Sequence, residues 1–483
     1  RQATDLYFSR FDGMAVTTED FICCMEEICG LDLGQFRRWY TQAGTPRLAV
    51  KRHYDAKAQQ YHLLFKQDCP PTPGQPDKQP FVIPVTTALL NAKGQHMPMR
   101  MAGESSIQTT RVLQVTEAEQ AFVFVNVGEE PVPSLLREFS APVRLQVDYS
   151  REELMFLLSH DSDPVSRWDA GQQLALQVMG DCMEQRRKGL PLELDQRLVV
   201  AWEKILRSAL DEPAVDKAMI ASLLLLPSEA YMAELAEVVE VDIVHDVREF
   251  VRRQLARQLR LLLGDIYHAN TSSAAYEYSS SEVARRSLQN TALNYLMTLE
   301  DPVWFNAAWL QFANATNMTD ESAALRALVN NPCAANATLR AELLNDFYQK
   351  WKHESLVVEQ WLALQCAAPV RDNLAQVQAL LTHEAYDGRN PNKIRSVVGA
   401  FCNSNAVGFH ALDGSGYRFL ADQVISLNLS NPQIASRQLT PLTRWRKYDQ
   451  QRQLLMKTEL LRIRAEADLS PDVFEVISKS LHE

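Results

Sequence analysis

His353-Glu354 and His383-Glu384 each set a histidine directly before a glutamate. On a helix, a second His four places after the first would put two imidazoles on one face with a general base between them. That is the donor set of a zinc hydrolase. The required places hold Val357 and Asp387, so neither stretch can bind zinc in this way and no metal ligand is assigned. The chain also has no G-x-S-x-G nucleophile elbow, no phosphate-binding G-x-x-x-x-G-K-[ST] and no G-x-G-x-x-G. Asp413-Gly414-Ser415-Gly416 is Gly-rich, but a lone four-residue turn reads as a structural loop before it reads as a phosphate cradle. The eight cysteines, Cys23, Cys24, Cys29, Cys69, Cys182, Cys333, Cys366 and Cys402, contain no C-x-x-C pair. They read as buried, reduced thiols. The ten histidines are scattered and read as surface or satisfied core residues.

One constellation stands above this background. Asn390-Pro391-Asn392-Lys393-Ile394-Arg395 and Asn431-Pro432-Gln433-Ile434-Ala435-Ser436-Arg437 begin 41 residues apart. An Asn cap followed by Pro starts a helix. Each helix would then carry an Arg within its first two turns, where a cation opposes the helix dipole at a cost of roughly a few tenths of a kcal/mol. An acidic partner or a carbonyl-rich cavity would offset that cost. An Arg bracing the next loop's carbonyls is the alternative.

The elements that must position these residues follow from length and periodicity. At 483 residues the chain is long enough for roughly three domains. Apolar residues make up 46% and charged residues 23%, a globular balance that excludes disorder as the main state. A net charge of −11 disfavours nucleic acid as a partner. The longest apolar run, Met219 to Pro227, is too short to cross a membrane. Arg1-Gln2-Ala3-Thr4-Asp5 lacks the apolar stretch of a secretion signal. The N-x-S/T sequons at Asn270, Asn314, Asn317, Asn336 and Asn428 therefore read as chance matches, and the free thiols point to a reducing cytoplasm.

Three textures divide the chain. Residues 1–43 read as helical: Thr17-Thr18-Glu19-Asp20 is a start signal, Phe21, Met25 and Ile28 repeat at helical spacing, and Asp32 is expected to cap a second helix carrying Leu33, Phe36, Trp39 and Tyr40. Residues 44–149 change to alternation, at Leu48-Val50, Tyr61-Leu63-Phe65, Phe81-Ile83-Val85, Leu113-Val115, Phe122-Phe124 and Val143-Leu145-Val147. Six short strands separated by Pro and Gly turns suggest a β-sandwich. Residues 150–483 read as short helices, many begun by Asp-Pro or Asn-Pro at Pro164, Pro302, Pro332, Pro391 and Pro432. So many paired helices exceed one bundle and suggest a HEAT-like superhelix. The fold class expected is mainly α with a β-sandwich domain.

Specific stretches resemble a known family. Asp20-Phe21 through Phe36-Arg37-Arg38-Trp39-Tyr40-Thr41-Gln42-Ala43-Gly44-Thr45-Pro46 resembles the end of the thermolysin-like domain of the bacterial aminopeptidase N family of zinc metallopeptidases. Asp77-Lys78-Gln79-Pro80-Phe81, Phe139-Ser140-Ala141-Pro142-Val143 and Ser166-Arg167-Trp168-Asp169-Ala170 are similar to the β-domain and the start of the helical domain that follow. Asn317-Met318-Thr319-Asp320, the two Asn-Pro helices and Phe409-His410-Ala411 through Gly416-Tyr417 extend the likeness to the end of the chain. The resemblance implies domains at 1–43 (last helices of the catalytic domain), 44–149 (β-sandwich) and 150–483 (helical superhelix). It implies the C-terminal region of an enzyme that removes N-terminal residues from peptides, with the helical domain covering the active site. Arg395, Gln433 and Arg437 match positions that line the family's substrate cavity. The family's zinc helix, its Gly-Ala-Met-Glu-Asn strand and its transition-state tyrosine have no match here. By resemblance, zinc belongs to the full-length enzyme and not to this chain, the partners are peptides and the catalytic portion of the same protein, and the chain alone is inactive. The rival reading from the residues is a non-enzymatic helical scaffold that binds a protein along its concave face.

Overall fold

The computed structural model describes residues 1–331 and 337–482. Cys333, the sequon at Asn336 and the helix start at Pro332 lie outside the described residues. The chain forms two compact units, Arg1–Leu174 and Ala175–Glu483.

The first unit is built on eight strands: β1 (Arg47–Asp55), β2 (Gln60–Asp68), β3 (Ile83–Leu90), β4 (Arg100–Met101), β5 (Arg111–Val115), β6 (Glu119–Val125), β7 (Val132–Leu135) and β8 (Arg144–Val147). They form one sheet in the order β4-β6-β2-β1-β8 and another in the order β5-β3-β7. Only the β1–β8 pair is parallel. Period-two alternation sends one face of each strand inward. Tyr61, Leu63 and Phe65 of β2 stand opposite Phe124, Phe122 and Gln120 of β6. All of these side chains except Gln120 share a single core with Ile83, Val85 and Leu113 of the other sheet. One core between two sheets is the sandwich that the alternation implied.

Residues 1–43 hold the helices Gln2–Phe11, Thr18–Cys29 and Arg38–Thr41. Thr17 N donates to Asp20 Oδ2 at 2.8 Å, and Gly30 ends the second helix in the left-handed conformation at φ 63°. The helix expected from Asp32 is not formed. The Asp32 carboxylate instead accepts from Gly34 N at 2.8 Å, a local turn that competes with helix, and only Arg38–Thr41 is helical. Trp39 packs on Phe81, ring centroids 4.7 Å apart, and donates to Val82 O at 2.9 Å. Phe8, Met14 and Leu31 remain about 60% exposed (59%, 60% and 60%). The cysteine expectation holds in part: Cys24, Cys182, Cys366 and Cys402 are buried, whereas Cys23 and Cys29 are exposed.

The turn after β7 is strained. Leu136, Glu138 and Phe139 have φ of 59°, 57° and 52°, left-handed values that cost non-glycine residues free energy. Arg137 pins this turn from inside. It donates to Asp161 Oδ1 at 2.7 Å and to Ser134 Oγ at 2.9 Å, and the Asp161 side chain is 0% exposed.

The second unit is helical to its end, Pro471–His482. Its starts follow the expected chemistry: Asp301 accepts from Val303 N, Asn317 from Asp320 N, Asn390 from Asn392 N and Asn431 from Ile434 N. Residues far apart in sequence close on each other. Val239 N donates to Lys447 O at 2.7 Å, and Arg452, 210 residues from Asp242, donates to its carboxylate at 2.6 Å. Asn270 and Asn428, two of the sequon residues, are buried. Among the described residues no helix is long and apolar enough to cross a membrane.

Candidate functional site

The Asn390 side chain accepts from Asn392 N at 2.9 Å and Pro391 fills the first helical position. The helix runs Pro391–Ile394, widens into a π turn at Arg395–Gly399 and continues as Ala400–Ser404. A π turn inside an α-helix re-aims the side chains around it and is frequent at functional sites. Ile394, Val397, Val398 and Phe401 are buried on one side. Lys393 is buried too, at 8% exposure. Arg395 is left exposed, with Nη1 donating to Asn392 Oδ1 at 3.0 Å. Asn392 was not singled out from sequence. Its position three residues before Arg395, on the same helical face, is the signal that could have found it.

The second helix, Pro432–Gln438, has seven residues. Ile434, Ala435 and Gln438 are buried in the protein. Gln433 and Arg437, one turn apart on the other side, are exposed. The two helices touch: a Cβ placed on Gly399 would lie 3.7 Å from Gln438 Oε1 and 3.7 Å from Arg395 Cβ. The structure thus brings the elements carrying Arg395, Gln433 and Arg437 side by side. Among the described residues neither guanidinium takes part in an ion pair.

The dipole argument survives for one arginine only. Arg395 lies near the start of a helix that continues to Ser404. Arg437 lies in the last turn of a short helix, where the dipole favours a cation. Its lack of an acidic partner therefore costs nothing in the folded chain. Guanidiniums and an amide presented together can grip backbone carbonyls or a carboxylate through several N–H donors at once.

The other sequence features resolve into structure. Gly414 adopts φ +71°, and a Cβ on Gly416 would stand 2.2 Å from Phe409 O, so the Gly-rich turn serves close packing. His383 lies against the rings of Tyr348 and Trp361, at 4.9 and 5.2 Å. Among the described residues no three His, Cys, Asp or Glu are grouped so as to hold a metal ion.

Comparison with known proteins matches both parts of the chain. Residues 44–148 match a domain of unknown function (DUF3458) with an Ig-like fold. Residues 151–482 match a domain of unknown function (DUF3458_C) of ARM repeats. Aminopeptidase N of Escherichia coli (strain K12) is 40% identical over 481 residues, which is 100% of this chain and 54% of the relative. Aminopeptidase N of Haemophilus influenzae is 38% identical over 482 residues, again 100% of this chain and 54% of the relative. The solved structure of Legionella pneumophila aminopeptidase A in complex with aspartic acid superposes with a TM-score of 0.85 at 29% identity, covering 99% of this chain and 54% of that one. The chain spans about half the length of the curated relatives it matches. With an Ig-like sandwich followed by helical repeats, it belongs to the DUF3458_C family of ARM repeats and is homologous to the C-terminal region of aminopeptidase N.

Proposed function

We propose that this chain is the C-terminal part of a zinc-dependent aminopeptidase, a hydrolase that removes N-terminal residues from peptides in cytoplasmic peptide catabolism. In this reading residues 1–43 are the last helices of the catalytic domain, 44–149 the β-sandwich and 150–483 the helical domain that covers the active site. The zinc is held by the portion of the enzyme that precedes the matched region, and this chain's residues carry no step of the bond cleavage. Their contribution is to shape the cavity and bind peptide, through Arg395, Gln433 and Arg437.

The observation that carries the reading is the pair of exposed guanidiniums on adjacent helices, neither engaged in an ion pair among the described residues, in a chain 40% identical over its whole length to an aminopeptidase N. The exposed apolar side chains of residues 1–43 support a further packing partner there, which we take to be the catalytic portion. The exposed thiols Cys23 and Cys29 are in keeping with a reducing cytoplasm.

Kinetics of the full-length enzyme test the site. Losing a charged hydrogen bond to substrate is worth about 1.5–3 kcal/mol, so Arg395→Ala or Arg437→Ala should lower kcat/KM for tripeptides and longer substrates by roughly ten- to a hundredfold. Single-residue aryl-amides, which reach less far, should suffer less. Both arginines are exposed, so the melting temperature should hardly move. A sharp drop in melting temperature with unchanged kinetics at every substrate length overturns the assignment. The 483-residue chain alone should turn over no alanyl or leucyl aryl-amide. Turnover with stoichiometric zinc would refute that part.

A further inference from the structure

The helical unit holds a half-open cavity of about 440 Å³ that none of Arg395, Gln433 and Arg437 lines. Four stretches distant in sequence build it, at 228–248, 367–369, 402–410 and 440–448. One part of the wall is apolar. Val239 and Val241 are buried with Val407, and Ala233, Ala406 and the Tyr448 ring pack against them.

The polar part of the lining is rich in donors. Its cations are Arg248, Arg444 and Lys447. Arg248 is committed: Nε donates to Pro227 O at 2.9 Å. Lys447 Nζ donates to Glu234 O at 2.9 Å, capping the end of a helix. Arg444 has no hydrogen bond or ion pair from its guanidinium among the described residues. Of the carboxylates, Glu229 is held by His245 Nδ1 at 2.8 Å, and Glu234 is exposed.

His410 supplies a further donor. It is 6% exposed and stacks on Tyr448 with ring centroids 4.2 Å apart. Burial, reinforced by the Arg452 charge, pushes its pKa down to about 3, so the ring is neutral. Nδ1 lies 2.8 Å from Tyr417 Oη, and the Arg452 guanidinium, which can only donate, sits beside that hydroxyl. The hydrogen-bond network therefore assigns the phenol proton to Nδ1 and leaves Nε2 as an N–H. Nε2 has no partner among the described residues, and the ring lines the cavity.

We propose that this cavity binds a small carboxylate with a branched aliphatic body, its carboxylate taken by Arg444 and the His410 Nε2–H and its body lying on Val239, Val241 and Tyr448. The volume leaves ample room for such a ligand. A bare anion would use the donors and waste the apolar wall, while an uncharged apolar molecule would leave Arg444 and the imidazole N–H unanswered.

Titration calorimetry on the 483-residue chain at pH 7 tests this with 4-methylpentanoate, which has no amine for an aminopeptidase to recognise. It should bind at least about tenfold more tightly than 4-methylpentanamide, acetate or inorganic phosphate. Arg444→Met, at an exposed position with no hydrogen bond or ion pair among the described residues, should fold normally and weaken 4-methylpentanoate by about tenfold or more. Ala406→Phe should block binding by filling the cavity, and circular dichroism reports whether that variant folds. Equal binding of acid and amide, an Arg444→Met chain that binds undiminished, phosphate binding more tightly than the carboxylate, or no heat with any probe up to about 20 mM would each overturn the proposal.

Discussion

Gly416→Ala separates two effects of opposite sign. Gly416 is the second residue of the helix Ser415–Asn428. Propensity alone makes Ala the better helical residue by about 1 kcal/mol. The space around it argues the other way. The new Cβ would stand 2.2 Å from Phe409 O and 2.8 Å from both Phe409 C and Phe409 Cα. All three are backbone atoms, so no side chain can rotate aside, and the Phe409 peptide must retreat by about 1 Å to reach van der Waals distance. Phe409 is 0% exposed and packs edge-on against Tyr417 at 5.3 Å. The next carbonyl, His410 O, accepts from Arg452 Nε at 2.9 Å. Overpacking against such surroundings costs about 3 kcal/mol, which outweighs the propensity gain. The net change should raise local opening of residues 405–428 by at least tenfold, read by hydrogen exchange in the intact chain. Gly414→Ala meets only the ends of flexible side chains, Leu455 Cδ2 at 3.2 Å and Arg418 Nη1 at 3.4 Å, so it should cost about 1–2 kcal/mol from its left-handed backbone. Gly13→Ala, with nothing within 4 Å, should show that backbone cost alone. Slower exchange in Gly416→Ala, or the same effect at all three glycines, would refute the close-approach reasoning.

Three further outcomes are expected. Arg137→Met strands the fully buried Asp161 carboxylate and should cost about 3–5 kcal/mol, lowering the thermal midpoint of the first unit by about 10 °C; a change of only a degree or two would show that the pair contributes little. Glu26 is held down at about 2, from an ordinary 4.5, by hydrogen bonds from Arg37 and then from Leu33 N. A depressed carboxylate stabilises above its unfolded pKa and loses that contribution as pH falls through the folded one, so residues 1–43 should loosen between pH 4.5 and pH 2, and Arg37→Gln should flatten that dependence in hydrogen exchange. At neutral pH the helices Gln2–Phe11 and Thr18–Cys29 should exchange before β2 and β6, because Phe8 and Met14 remain exposed and short helices without full packing are marginal; equal protection of both regions contradicts this.

The sandwich was legible where alternation was unbroken, as in Tyr61-Leu63-Phe65 against Phe122-Phe124. It was not legible at Val132–Leu135, where Pro133 reads as a loop although the strand pairs with β3 from Thr87 to Leu90. Asn and Asp caps located helix starts well, because capping is local chemistry. Asp32 misled for the same reason: its side chain can serve a helix or a turn, and Gly34 takes it for the turn. Arg395 and Arg437 stood out from their places after the two Asn-Pro helix starts, whereas Gln433 and a cavity role for all three came only from the family resemblance. Periodicity could not reveal the π turn at Arg395, nor that Pro432–Gln438 is too short for its dipole to oppose Arg437. The cavity around His410 and Arg444 was invisible in sequence, since tertiary closure assembles it from four separate stretches.

That closure changes how the helical unit should behave as a polymer. In an open array of repeats each pair of helices depends on its neighbours, and the ends fray or unfold first. Here the Val239–Lys447 hydrogen bond and the Arg452–Asp242 pair tie the array to itself, so the intervening helices have no free end between those two points. Fraying at either point must first break a contact spanning 210 residues. Forming that contact costs the closure entropy of the long stretch between its ends. Folding of this stretch should accordingly be slow and late-closing, and its unfolding more cooperative than that of an open array. A substitution near Asp242 and one near Arg452, far apart along the chain, will therefore register as neighbours.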